Sequence, residues 1–104
     1  MFKLNFGLLP KDIDNIKKTI KKFPEIEFVK IFGSRALGNY KKGSDIDIAI
    51  LGDKVTDETL LKFSRLLNEE LPIPYFCDVL NYNKINNIEL KKHIDKIGKK
   101  IEVY

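Results

Sequence analysis

Residues 31–50 read IFGSRALGNYKKGSDIDIAI, which is two apolar segments joined by a polar loop that contains three glycines. The first segment, Glu27–Phe32, is β-branched and aromatic and predicts a strand that runs into Gly33. The second, Asp45–Leu51, alternates at first and is then apolar throughout, which is typical of a central strand. We therefore expect the polar end of this second strand to open onto a functional site.

Two aspartates begin the second strand. Because Asp45 and Asp47 are two residues apart, their side chains point to the same face of a strand, and the intervening Ile46 points to the opposite, packed face. Two carboxylates held so close repel each other, which raises a pKa or demands a compensating cation. A divalent ion bound through oxygen atoms, with substrate phosphates completing its shell, meets that demand.

A third acid lies in the predicted strand Tyr75–Leu80, which reads YFCDVL. Asp78 sits between Cys77 and Val79, and an acid in an apolar strand is costly unless it is paired or binds a metal. If this strand neighbours the second one, three carboxylates converge as the protein side of a two-metal site, with ions roughly 3.5–4 Å apart. Asp-x-Asp alone is common in turns, so the prediction rests on the joint pattern.

The loop after the first strand favours an anion. Glycine at position 33 lets a phosphate approach the backbone, and Ser34 can donate its hydroxyl group. Ser34 also opens a predicted short helix through residues 35–37, which Gly38 would end, and the N–H groups at the start of a helix attract negative charge. A glycine-serine pair after a strand is as often a plain turn.

Five other residues carry weaker signals. Arg35 can bind a phosphate with its planar guanidinium group, or lie on the surface. Lys42 and Ser44 can contact phosphates, or belong to a solvated turn. His93 falls on a lysine-rich helix face, so we expect it to be solvated, and Cys77, which has no histidine nearby in sequence, is expected to be a small core residue.

The rest of the chain predicts three longer helices and one more strand, in the order α-β-β-α-β-α-β. The fold class expected from this order is α/β (α+β), with one mixed sheet of about four strands covered by helices in a single domain, residues 1–104. The last helix would begin after Asn87 and end at a left-handed Gly98. The further elements are a helix Pro10–Phe23, a helix that begins after Thr56 or Asp57, and an edge strand Lys100–Tyr104.

Composition limits the classes of ligand and the location that we expect for this protein. The net charge of +4 favours anionic ligands such as nucleotides, but the lysines are spread over every segment, so we expect no direct nucleic-acid binding. Uncharged stretches are far shorter than the roughly 20 residues of a membrane span, and the first residues lack the apolar run of a secretory signal. With a single cysteine in the chain, we expect a cytoplasmic protein without membrane contact.

The segment GSRALGNYKKGSDID, residues 33–47, fits the Gly-Ser-x10-Asp-x-Asp signature of the polymerase-β-like nucleotidyltransferase superfamily. Over nearly its full length the chain resembles the minimal nucleotidyltransferase (MNT) proteins, usually the antitoxin half of HEPN/MNT toxin–antitoxin pairs. The resemblance implies that Gly33 and Ser34 bind the triphosphate. It also implies that Asp45 and Asp47 hold two Mg²⁺ ions, and that Asp78 binds metal and helps activate the acceptor hydroxyl.

The function implied by this resemblance is transfer of AMP from ATP to a tyrosine hydroxyl of a partner HEPN toxin, with which the chain would form a hetero-oligomer. Two alternatives stay open at this point. One is a non-catalytic antitoxin that binds its toxin and binds nucleotide only as a ligand. The other is a small-molecule adenylyltransferase of the aminoglycoside-modifying type.

Overall fold

A computed structural model describes residues 6–103, which form a four-stranded mixed sheet with helices on both faces. The strands are β1 (Phe28–Phe32), β2 (Ile46–Leu51), β3 (Cys77–Asn81) and β4 (Lys99–Lys100). The helices are α1 (Pro10–Lys21), α2 (Gly33–Leu37), α3 (Asp57–Arg65) and α4 (Ile88–Ile97). A π-helical turn, Leu66–Glu70, extends α3, and a 3₁₀ turn, Tyr82–Lys84, follows β3.

The sheet has the strand order β3-β2-β1-β4. β1 is antiparallel to both of its neighbours, whereas β3 is parallel to β2. A parallel pair needs a crossover connection, which α3 supplies between these two strands. The predicted mixed sheet of about four strands covered by helices is confirmed, and the condition that the second and third strands are neighbours is met.

The two faces of the sheet have different cores. One face carries the alternate isoleucines Ile46, Ile48 and Ile50, all fully buried in a cluster that includes residues of α1 and α3. The other face is covered by α4, where Ile94 packs with Phe32 and Ala49. Because side chains alternate along a strand, the acidic residues at the start of β2 belong to this second face.

Two helix caps follow the sequence prediction and one does not. The Thr56 hydroxyl accepts a hydrogen bond from the Thr59 N–H at 3.1 Å, and the Asn87 side chain accepts one from the Leu90 N–H at 3.1 Å. The prediction of a left-handed Gly98 is wrong, since its φ is −55° and its ψ is 140°. Glycine is needed there for space instead, because a Cβ atom would collide with the carbonyl oxygen of Ile94.

Element ends also differ from the prediction. β3 begins at Cys77 rather than at Tyr75, and the terminal strand is limited to Lys99–Lys100, which pairs with Lys30 and Ile31 of β1. Tyr104, the predicted end of that strand, lies outside the described residues. No helix formed by residues 6–103 combines the length and hydropathy that crossing a bilayer requires.

Candidate metal and nucleotide site

Three acids lie together where β2 and β3 begin. In the parallel pairing of these strands Asp47 is directly beside Asp78, so both side chains project from the same face. Asp45 precedes β2 by one residue, and the fully buried Ile46 between the two aspartates points to the opposite face. The predicted position of Asp78, on the same face as the other two acids, is confirmed.

The electrostatics of this cluster centre on Asp47. Burial raises the pKa of the Asp47 carboxyl group above its ordinary value, and the charges of Asp78 and Asp45 raise it further, while the positive charge of His93, when that residue is protonated, opposes them. Asp45 and Asp78 are exposed, and Asp47 is half-buried between them. The cluster therefore concentrates negative charge that a cation would relieve.

The donor set fits a hard divalent ion. All three groups are carboxylates, and Mg²⁺ is usually bound through one or two carboxylates together with substrate phosphates and water. Within residues 6–103 no group of three potential ligands is already drawn together around a common point. Binding of a cation would therefore have to draw the three carboxylates closer together, which their mutual repulsion otherwise opposes.

Gly33 lies directly against the acids. Its φ of +70° is in the left-handed region, and a Cβ atom at this position would collide with the Asp47 carboxylate. Glycine is therefore required both by the backbone conformation and by the close approach of Asp47. Ser34 follows in the first turn of α2, and Gly38, with φ of +91°, ends the helix, as the sequence predicts.

Arg35 occupies a different place from the one expected. Its side chain is buried, at 3% exposure, and Nε and Nη2 donate to the Ser44 carbonyl oxygen at 3.1 and 2.7 Å. Nη1 donates to the Phe6 carbonyl oxygen at 2.8 Å, and the guanidinium group lies over the rings of Tyr40 and Tyr75. The expected phosphate contact is therefore corrected: Arg35 ties α2 to the loop that leads into β2.

The loop before Asp45 is a defined turn. The Ser44 hydroxyl accepts a hydrogen bond from the Lys41 N–H at 2.8 Å, and the Ser44 N–H donates to the Lys41 carbonyl oxygen at 3.0 Å. Lys42 is exposed at the tip of this turn. The proposed contacts of Lys42 and Ser44 with nucleotide stay predictions.

His93 was expected to be solvated, and this expectation is wrong. The imidazole is half-buried, and its Nε2 atom accepts a hydrogen bond from the Gly33 N–H at 2.9 Å. Its ring meets the ring of Phe32 edge-on, with centroids 6.0 Å apart. One sequence signal was available, because His93 directly precedes the apolar Ile94, which is buried in the structure. The lysines around His93 favoured the solvated interpretation instead.

Asn68 is a second residue near the site that no sequence pattern indicates. Its side-chain oxygen accepts from the Cys77 N–H at 2.7 Å, and its amide group donates to the Cys77 carbonyl oxygen at 2.9 Å. This pair of bonds fixes β3 one residue before Asp78. Cys77 itself is fully buried, as predicted, and burial raises the pKa of its thiol to about 12.

The comparison with protein families agrees with this geometry. The sequence profile described as "Polymerase beta, Nucleotidyltransferase" matches residues 14–102, which include all three acids and the glycine-serine turn. The chain belongs to the polymerase β nucleotidyltransferase family. A comparison with curated protein sequences finds no match.

Solved structures share the fold of this nucleotidyltransferase-family protein. A toxin–antitoxin structure with AMP-PNP superimposes with a TM-score of 0.72 at 20% identity, over 88% of this chain and 73% of the other. The MntA-HepT toxin–antitoxin structure gives 0.68 at 17% identity, over 92% and 74%. A complex of tri-AMPylated Shewanella oneidensis HEPN toxin with MNT antitoxin gives 0.67 at 18% identity, over 90% and 71%. At these identities the likeness establishes the fold.

Proposed function

We propose that this family member is a Mg²⁺-dependent nucleotidyltransferase that transfers AMP from ATP to a tyrosine hydroxyl of a partner HEPN toxin and thereby acts as its antitoxin. The observation that carries the proposal is the position of Asp47. It lies beside Asp78 in the sheet, close in sequence to Asp45, and against the Gly33-Ser34 turn. Carboxylates for metal and a glycine turn for phosphate are thus adjacent.

The residues divide into three tasks. Asp45 and Asp47 would hold two Mg²⁺ ions, which when bound supply positive charge to the attacking and leaving oxygens of an in-line displacement. Asp78 would orient the acceptor hydroxyl, since it lies on the edge strand β3, on the side of β2 away from the glycine-serine turn. Gly33 and Ser34, at the end of β1, would hold the outgoing pyrophosphate.

The choice of donor and acceptor is supported by the proteins that share the fold. One of them was solved as a toxin–antitoxin structure with AMP-PNP, an analogue of ATP, and another in complex with a HEPN toxin that carries AMP groups. Both are similar to this chain over most of its length. ATP as donor and a HEPN-type protein as acceptor are therefore the substrates that we propose for the site.

The test is a transfer assay with the purified chain, a partner HEPN protein and ATP labelled at the α-phosphate. We expect label on a toxin tyrosine, located by mass spectrometry, and its loss in Asp47→Asn with the fold intact by circular dichroism. Asp53→Asn, the same change at an exposed aspartate outside the cluster, is the matched control and should transfer normally. Transfer by Asp47→Asn at the wild-type rate would refute the mechanism.

The same assay separates the alternatives. A stable complex with the toxin, without covalent label, would indicate an antitoxin that acts by binding alone. Label on a small-molecule acceptor in the absence of any partner protein would indicate an adenylyltransferase of the aminoglycoside-modifying type. Either result would overturn protein adenylylation by this chain.

A further inference from the structure

We propose that His93 is a positioning residue for the nucleotide: by holding the Gly33 N–H from α4, it sets where the glycine-serine turn lies relative to Asp47. The inference rests on the proposed function in one respect, that a nucleoside triphosphate binds between this turn and the acids. It concerns the chain's single histidine, which is 60 residues from the turn in sequence.

The contact itself is specific. The Gly33 N–H donates to His93 Nε2 at 2.9 Å, so this nitrogen offers its lone pair and the ring proton is assigned to Nδ1. The imidazole is fixed on a second side by its edge-on contact with Phe32, the residue that precedes the turn. His93 thus binds the backbone at the point where β1 ends.

Gly33 also lies directly against Asp47. A Cβ atom on residue 33 would collide with the Asp47 carboxylate, so the turn approaches this acid as closely as only a glycine allows. The hydrogen bond to His93 holds the same backbone from α4. His93 and Asp47 together fix the spacing between the glycine-serine turn and the principal acid of the cluster.

This role is separable from the packing of α4. The helix is held to the sheet by Ile94, which is fully buried with Phe32 and Ala49, and by Leu90 at the margin of the same cluster. Exchanging the imidazole for another polar side chain removes none of these apolar contacts. A variant that lacks the acceptor atom should therefore keep α4 in place while the turn loses one restraint.

Two substitutions distinguish the effect of an acceptor atom at the position of Nε2 from the effect of any polar side chain at residue 93. In His93→Gln the side-chain oxygen can reach the place of Nε2, whereas in His93→Asn the side chain is too short to do so. We expect the dissociation constant for Mg²⁺ and α,β-methylene ATP to rise about five- to tenfold in the Asn variant, the effect of one lost hydrogen bond. The dissociation constant of the Gln variant should stay within about twofold of the wild-type value. The same is expected of Lys92→Asn, which introduces asparagine at the exposed neighbouring position.

Three readouts decide the outcome. Support requires weaker binding in His93→Asn, recovery in His93→Gln, and thermal midpoints that agree between these two variants. In the transfer assay the KM for ATP should rise more than kcat falls. Wild-type binding by His93→Asn, or failure of the Gln variant to recover, would overturn the proposal.

Failure of the proposed function would look different. The α,β-methylene analogue cannot release pyrophosphate, so binding is measured without any transfer. If wild type and variants bind as expected but no AMP reaches a protein acceptor, the positioning role stands and the adenylylation proposal fails. If transfer occurs equally in wild type and His93→Asn, the adenylylation proposal stands and the positioning role of His93 fails.

Discussion

Replacing Asp47 by asparagine should make the protein more stable in the absence of divalent ions, although it removes the proposed activity. The reason is that the Asp47 charge is unfavourable in the folded state: burial, Asp78 and Asp45 all raise the pKa of its carboxyl group. Asparagine has nearly the same size and carries no charge. The substitution therefore removes a repulsion without opening a cavity.

The size of the effect follows from the strand pairing. Asp47 and Asp78 are direct neighbours on adjacent strands, and such strands are about 4.8 Å apart. Two unit charges about 5 Å apart repel by about 0.8 kcal/mol in water and about 3 kcal/mol at an effective dielectric constant of 20. Because Asp78 is exposed, we take a value near the lower limit, about 1 kcal/mol. For a domain of this size that raises the melting temperature by roughly 4–8 °C.

The same charge gives a pH dependence with a defined sign. An acid whose pKa is raised by folding binds its proton more tightly in the folded state, so the protein loses stability as pH rises from the ordinary value of 3.8 through the raised value. Asp47→Asn lacks this loss. The difference between wild type and variant should be small at low pH and greatest at neutral pH.

Thermal unfolding with EDTA and with Mg²⁺, from pH 4 to 8, measures these effects, with Asp53→Asn as the control for a surface charge. Added Mg²⁺ should stabilise the wild type, since an ion that binds only the folded state adds free energy by mass action, and should stabilise Asp47→Asn less. A variant that melts below the wild type in EDTA at neutral pH would refute the electrostatic reasoning.

Three further predictions concern single residues around the site. Gly33→Ala should abolish nucleotide binding, measured by calorimetry, because its Cβ collides with Asp47; retained affinity would contradict this. Arg35→Lys should lower the free energy of unfolding in urea by about 1–3 kcal/mol, since lysine cannot make the forked contacts to two carbonyl oxygens; an unchanged midpoint would contradict it. Cys77 should resist iodoacetamide in the native protein at pH 8 because its thiol pKa is about 12, and rapid alkylation would show the burial to be wrong.

The acids of the candidate site were predictable because their evidence is local. Alternation along one strand places Asp45 and Asp47 on the same face, and the polar interruption of an apolar strand singles out Asp78. That the two strands are neighbours is not local, since strand order depends on the whole sheet. The sequence could state this only as a condition, which the pairing of Asp47 with Asp78 meets.

The residues that were misjudged depend on contacts between distant segments. Periodicity shows which residues of one helix share a face, so it placed His93 on the exposed face with the neighbouring lysines. It could not indicate the hydrogen bond between His93 and Gly33, which belongs to another element. Arg35 was interpreted from its charge, but its burial depends on Tyr40, Tyr75 and two carbonyl oxygens. Gly98 shows a further limit, because glycine serves equally for a left-handed backbone and for a close approach.

The amide of Asn68 has a consequence for how this molecule meets others. An edge strand has unpaired backbone groups to which a strand of another chain can add, and β3 is the edge strand beside the acids. Asn68 already occupies the N–H and the carbonyl of Cys77, so an incoming strand would have to displace it there. Addition of a strand from another copy or from a partner is therefore discouraged at Cys77, next to Asp78.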